Sequence, residues 1–197
     1  MIRILSEEES EPASRPALDS DLFTAVGTYG PDGNSVAAYH SFIASHAAHI
    51  PQEHLWQRIE SYIAFRWGVR TVVWIVEGPG TFETPLKPAT VSTTEIWQNE
   101  AWASVTLKAA PLGYVLEDAT YRFTASVGTG DVPPAIVQEA IRRLAFYAVE
   151  TWQQSGGWTG LGDGQTTVPS WPARSMQYSG AADLLRPYRR LGAYQCA

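Results

Sequence analysis

The sequence predicts an α+β fold, in which a small helical bundle carries an inserted, mostly antiparallel β-sheet and continues into an extended C-terminal arm. Apolar residues recur at spacings of three and four in two parts of the chain, 36–67 and 133–155, which is typical of helices that bury one face. Between about residues 70 and 128 the period changes to two, and Val, Thr, Trp and Ile become frequent, as in strands. Because the strand-like segment lies between helical ones, we expect a sheet inserted into a bundle.

Three longer helices are predicted. The first covers 36–49, and the second covers 52–67, beginning after Pro51 and ending at Gly68, a natural helix stop. The third covers 133–155, and it is the most regular of the three. Its wide apolar stripe consists of Ile136, Ala140, Ile141, Leu144, Ala148 and Trp152.

The β insertion is expected to contain four or five strands. "RTVVWIVEG" at 70–78 has the composition of a strand, and the last strand is predicted at about 120–127. A hairpin is predicted around Asn99 and Glu100. "TFETPL" is expected to be an edge strand, since Pro85 cannot donate to a ladder.

The two ends of the chain differ from its body. Residues 1–35 are rich in Ser, Glu, Asp, Pro and Gly, and we expect them to be extended or loop-like. The body is a domain covering 36–160, followed by a loop and arm at 161–197. In the arm, "SGAADLLRPYR" is expected to form a short helix with Ser179 as its cap.

Composition limits the possible functions. The net charge is −6, but residues 170–197 carry +3 (four arginines and one aspartate), which leaves −9 for residues 1–169. A body of that sign is not expected to bind nucleic acid through a broad electrostatic footprint. The one cysteine, Cys196, excludes an internal disulfide, the N-terminus lacks the apolar stretch of a signal peptide, and no apolar run is long enough for a membrane span. We therefore expect a soluble cytoplasmic protein.

The low content of charged residues, 17%, together with eight Trp and nine Tyr, has two interpretations. Aromatic residues are favoured where protein meets protein, so much of the surface could be covered by other subunits. The alternative is a Trp-rich core.

Neither catalysis nor a cofactor is expected. Glycines at 128 and 130 precede a helix, but the lysine of a phosphate-binding loop is missing. Histidines at 40, 46, 49 and 54 include a pair three residues apart, yet there is no HExxH motif and no cysteine to assist, so no metal site is predicted. Nucleophile motifs are absent as well.

The arm carries the strongest functional signal. Arg186, Arg189 and Arg190 flank Tyr188, and leucines at 184, 185 and 191 add an apolar side. Arginine and tyrosine are favoured anchors at interfaces, and arginine can pair bidentately with carboxylates. We expect this arm to dock on a partner; the alternative is a helix that packs on its own domain with its arginines in solvent.

Several stretches resemble one known family, in order along residues 55–190. They are "IAFRWGVRTVVWIVEGPG" at 63–80, "PLKPATVSTTEIW" at 85–97, "PLGYVLEDATYRFTASVG" at 111–128 and "SWPARSMQYSGAADLLRPYRR" at 170–190. The set is similar to the head–tail adaptors, or head–tail connectors, of siphophages and of alphaproteobacterial gene transfer agents. Residues 1–35 do not resemble the usual start of these proteins.

The resemblance implies a structural role in the neck of a virion that is assembled in the host cytoplasm. Such adaptors form a dodecameric ring beneath the portal protein, extend the DNA channel and present a lower face to a stopper (head-closure) or tail terminator protein. DNA would pass through the lumen without sequence-specific binding, and no membrane would be involved. By the same resemblance, the portal-binding residues would be Ala182, Leu184, Leu185, Arg186, Pro187, Tyr188, Arg189, Arg190 and Leu191. Removal of residues 180–197 is then expected to leave the fold intact and to abolish attachment to the portal.

Three alternatives remain open at this point. The nearest is a stopper or tail-completion protein of the same neck. A second is a carbohydrate-binding β module that uses Trp97 and Trp102, and a third is an enzyme that uses the histidine cluster.

Overall fold

The computed structural model of the chain describes residues 1–18, 20–23, 34–154 and 174–189; the side chains of Ser20, 34–40 and 152–154 lie outside this description. The described residues form two compact units, a β unit of Met1–Pro16, Ala64–Val132 and Arg189, and a helical unit of Ala17–Ile63 and Pro133–Tyr188. The long segment of the β unit interrupts the helical unit. The predicted α+β fold, with a sheet inserted between helices, is therefore confirmed.

The helical unit is organised around one long helix. Its helices are α1 (Asn34–Ala47), α2 (Gln52–Tyr62), α3 (Ala135–Gln154), α4 (Ser175–Tyr178) and α5 (Ala181–Leu185). Helix α3 packs against each of the other four, and also against a 3-10 turn at Ser20–Phe23. Within the described residues, no helix combines the length and the apolar character that crossing a bilayer requires.

The buried side of α3 agrees in part with the predicted stripe. Ala140, Ile141 and Leu144 are fully buried, whereas Ile136 is exposed and the side chain of Trp152 lies outside the described residues. The buried set is completed by Val137, Ala145 and Val149. These positions follow the 3.6-residue period of a helix, so the pattern was identified correctly and its centre was misplaced by about one residue.

Helix α2 is shorter than predicted. It ends at Tyr62, because Ile63 is extended and Phe65 and Trp67 form β-bridges with Lys87 and Thr129. The prediction that Gly68 stops the helix is wrong. Gly68 has a φ of +89°, and a Cβ at this position would lie 2.5 Å from the carbonyl oxygen of Ser14, so the glycine allows two backbone segments to approach closely.

The β unit contains two antiparallel sheets. A five-stranded sheet has the order β1-β2-β8-β4-β5 and a three-stranded sheet the order β3-β7-β6. The strands are β1 (Arg3–Glu9), β2 (Arg70–Glu77), β3 (Gly80–Phe82), β4 (Ala89–Gln98), β5 (Ala101–Ser104), β6 (Lys108–Ala110), β7 (Gly113–Leu116) and β8 (Thr120–Val127). The insertion thus holds seven strands rather than four or five, since the sequence pattern does not resolve the short ones.

Two predicted features of the sheets are confirmed. The β4–β5 hairpin turns at Asn99 and Glu100, whose φ angles of 50° and 60° are the positive values that a two-residue turn of type I′ requires. Strand β3 lies at the edge of its sheet, as expected for the segment that runs into Pro85.

Aromatic rings dominate the core of the β unit. The ring of Phe82 lies 4.5 Å from that of Phe123 and 6.2 Å from that of Trp74, and all three side chains are fully buried. Trp67 of the β unit and Trp56 of the helical unit are buried as well. The interpretation of the tryptophans as core residues therefore holds for these positions.

The N-terminal strand is the main addition to the predicted fold. Residues 1–35 were expected to be extended or loop-like, and Arg3–Glu9 is an extended strand that pairs with β2 as the first strand of the larger sheet. The carboxylate of Glu9 accepts hydrogen bonds from Arg66 at 3.0 Å and from Arg70 at 3.2 Å. Glu7 accepts one from the indole of Trp74 at 2.6 Å. Part of the acidic run thus ties β1 to the sheet, which its composition alone does not suggest.

The charge state of Glu9 follows from these contacts. Burial of the carboxyl favours its neutral form, but the hydrogen bonds and positive charges of Arg66 and then Arg70 outweigh this and hold the pKa of Glu9 below its ordinary value of 4.5. A carboxyl with a lowered pKa stabilises the folded chain above its ordinary pKa, and this contribution disappears as the pH falls through the folded-state pKa.

We therefore predict that Glu9→Gln lowers the free energy of unfolding by about 1–3 kcal/mol at pH 7, since hydrogen bonds to charged groups are lost. The difference from the wild-type chain should shrink as the pH falls below about 4.5. Urea denaturation at a series of pH values measures both effects. The neighbouring exposed Glu8→Gln is the control and should change stability by less than about 0.5 kcal/mol. Equal effects of the two variants would contradict a specific role of Glu9.

Candidate docking site at the C-terminal helices

The base of the predicted arm is part of the helical unit. Ala181 and Leu185 of α5 are fully buried, and α5 packs against α3. The helix begins at Gly180, whose φ is +72°, and the hydroxyl of Ser179 accepts a hydrogen bond from the amide of Ala181 at 3.3 Å. The short helix predicted in this stretch is confirmed, with Ser179 one residue before the cap.

The end of the arm is exposed. After Leu185 the chain makes a 3-10 turn at Arg186–Tyr188. Among the residues predicted to bind the portal, Arg186, Pro187 and Arg189 are exposed, and Ala182, Leu184 and Tyr188 are half-buried. Arg190 and Leu191 lie outside the described residues, as does Cys196. Three of the predicted contacts, Arg186, Pro187 and Arg189, thus lie at the surface of the described chain.

Two expectations about the arm need correction. From Ser175 to Tyr188 the segment is largely helical rather than extended, and Leu185 cannot contact a partner while α5 lies on α3. For this residue the alternative, packing on its own domain, is right. A truncation that begins at residue 180 would remove buried apolar side chains and would perturb the fold, so the informative truncation begins after Leu185.

Beside α5 lies a surface that sequence reasoning missed, which we call the Tyr–Arg face: Arg143, Tyr147, Arg174 and Tyr178. The rings of Tyr147 and Tyr178 lie 6.3 Å apart, and 63% of the Tyr178 surface is exposed. A Cβ on Gly180 would lie 3.2 Å from Nη1 of Arg143, so this guanidinium reaches the start of α5. Arg174 is exposed one helical turn before Tyr178.

The Tyr–Arg face carries excess positive charge. Glu139 accepts two hydrogen bonds from Arg142, at 2.6 and 2.7 Å, and one from Nε of Arg143 at 2.8 Å. The hydrogen bonds from Arg142, followed by those from Arg143, outweigh burial and lower the pKa of Glu139. One carboxylate thus forms ion pairs with two guanidinium groups. A net positive charge remains, with the Nη groups of Arg143 available as donors.

The histidines are engaged with their own helix. The carbonyl oxygens of Phe42 and Ser45 can only accept, so Nδ1 of His46 donates to the first at 2.9 Å and Nδ1 of His49 to the second at 2.6 Å. The side chain of His40 lies outside the described residues. In the part of the chain that the structure describes, no three His, Cys, Asp or Glu residues cluster as metal ligands.

Trp97 and Trp102 face each other across the β4–β5 hairpin. Their rings lie 5.1 Å apart at 62°, edge to face, and Trp97 is 46% exposed. The guanidinium of Arg122 lies 4.7 Å from the Trp102 ring and pairs with Glu95 at 2.7 Å. Cross-strand aromatic pairs of this kind stabilise hairpins, so the packing of the two rings has a structural explanation.

No family model, curated protein or solved structure matches the chain.

We predict that Leu185→Ala lowers the free energy of unfolding by about 2–5 kcal/mol, because it leaves a cavity between α5 and α3. The adjacent Leu184→Ala, at a half-buried position, is the matched control and should cost clearly less. Chemical denaturation measures both variants. Equal losses would contradict the anchoring of α5 through Leu185.

Proposed function

We propose that the chain is a head–tail adaptor, a structural protein of the virion neck. It forms a ring beneath the portal, extends the DNA channel and links the capsid vertex to a stopper or tail terminator. The observation that carries the proposal is the collinear resemblance of residues 55–190 to such adaptors. Residues 55–190 as a whole run through most of α2, strands β2 to β8, α3 and the C-terminal helices, which is the helix, sheet, helix and C-terminal order that the resemblance implies and which supports the proposal.

The C-terminal segment is the proposed portal contact. Helix α5 anchors it on α3, while Arg186, Pro187 and Arg189 remain exposed immediately beyond the anchor. Arginines presented in this way can pair with carboxylates of a partner, and Tyr188 adds an apolar contact. Because α5 already holds the base of the segment, docking requires little reorganisation there.

The charge distribution suits a DNA channel. A closed ring repeats one head-to-tail interface, and a dodecamer would multiply the −9 charge of residues 1–169 around its axis. Tight binding of phosphates requires Lys or Arg, so an acidic lumen lets DNA pass without sequence-specific binding. The basic C-terminal segment would be kept from the DNA by its contact with the portal. The role is structural and not enzymatic, and it is exercised in the neck after assembly in the host cytoplasm.

We predict that removal of residues 186–197 leaves the thermal unfolding midpoint nearly unchanged and abolishes attachment to the portal ring. Arg186→Ala alone should weaken attachment by about tenfold or more, the effect expected for an interface anchor. Co-sedimentation with the portal measures attachment.

Lys108→Ala is the matched control, since it removes one exposed positive charge from the β unit, and its affinity should be unchanged. Normal portal attachment of the truncated chain would overturn the proposed role of the segment. A ring found below another neck protein, with no portal contact, would identify the chain as a stopper instead.

The isolated chain should be a monomer or a weak oligomer that closes into a ring on the portal, since any segment that orders on docking carries an entropic cost that the portal contact must offset. Light scattering of the purified chain, with and without portal, measures its mass. A stable ring in the absence of portal would contradict this order of assembly.

A further inference from the structure

The Tyr–Arg face has the composition of a docking surface. The Nη groups of Arg143 and the side chain of Arg174 make no hydrogen bond with any described residue. Tyr178 is exposed beside them, and tyrosine and arginine are among the residues enriched at the hot spots of interfaces. A suitable occupant would supply carboxylates and an apolar side chain.

The edge strand β1 supplies both. It lies at the end of the five-stranded sheet, so within that sheet its outer edge has no neighbouring strand. Leu5 is 46% exposed at the irregularity of the β1–β2 pairing. Glu8 and Glu11 are exposed, and neither carboxylate pairs with a described residue. Glu9, by contrast, is fastened to the sheet by Arg66.

We propose that the Tyr–Arg face of one copy of this chain binds strand β1 of a second copy. The carboxylates of Glu8 and Glu11 pair with Arg143 and Arg174, and Leu5 packs against Tyr178. This proposal rests on the proposed ring and assigns the surfaces through which neighbouring subunits meet.

Charge complementarity within one sequence favours a second copy as the occupant. The two surfaces are different patches of the chain, so their pairing is heterologous and repeats from subunit to subunit, as a ring requires. Exposed ion pairs contribute little each, so the contact between two free copies is weak. The overall affinity between neighbouring copies becomes high only when the portal holds many of them side by side.

Disulfide trapping detects such a weak contact. Cys196→Ser removes the only cysteine of the full chain, and Glu8→Cys or Arg174→Cys then introduces a single new one. We expect a mixture of the two single-cysteine chains to form a mixed dimer at least about tenfold faster than either chain forms a dimer with itself. A mixture of Asp118→Cys with Arg174→Cys is the control for random collision, because Asp118 is an exposed acidic residue between β7 and β8 rather than on β1.

Charge reversal supplies the second readout. Glu11→Arg added to the Glu8→Cys chain should slow the trapping several-fold, and Arg143→Glu in the Arg174→Cys partner should restore it. Glu117→Arg, at an exposed position before β8, is the matched control and should not slow it. Failure of restoration with folded variants would overturn the electrostatic pairing.

Equal trapping rates in all mixtures would overturn the proposal. So would an intramolecular disulfide in a highly diluted chain that carries both cysteines, or a disulfide that Arg174→Cys forms with the portal alone. The experiment uses no portal except in the last case. Normal trapping without portal attachment would therefore support the contact between copies and refute the proposed function. Normal portal attachment without trapping would refute only the contact between copies.

Discussion

The packing of Ala181 and Leu185 on α3 is the constraint on which the C-terminal segment depends. Both side chains are fully buried, and α5 has only five residues, too few to be stable as an isolated helix. Tertiary burial therefore holds the helix, and the helix in turn holds the base of the segment that follows. Arg186 and Arg189 are therefore exposed immediately after a fixed helix. Binding of a partner to them costs less conformational entropy than binding to an unanchored tail would.

Tertiary contacts also hold the N-terminal end of the chain in place. Three glutamates in a row at residues 7–9 have the composition of a solvated run, yet two of them point to defined partners, Trp74 and the Arg66–Arg70 pair. The contacts of Glu7 and Glu9 hold β1 on the sheet. Glu8 lies between them and is exposed to solvent or to a neighbouring molecule. The acidic N-terminal strand and the basic Tyr–Arg face thus carry opposite charge, which is the basis of the proposed contact between copies.

Much of the architecture could be predicted because residues that are close together in the sequence determine it. The stripe of α3 and the Asn99–Glu100 turn are features of contiguous residues, and both were identified. Strand β1 was missed because its partners, Arg66 and Arg70, lie 57 and 61 residues away along the chain. The same limit applies to the candidate site. Leu184 and Leu185 are equivalent in composition, and only the packing of α5 decides which is buried; Tyr147 and Tyr178 meet through that packing alone.

Imaging of an intact neck that contains this chain tests the central claim most directly, because it reports the position of the C-terminal segment in the assembly. The account predicts a ring of this protein directly beneath the portal, with α5 still on α3 and density after Leu185 in contact with portal subunits. A ring that touches no portal subunit, or a segment after Leu185 that folds back on its own chain in the assembled particle, would contradict it.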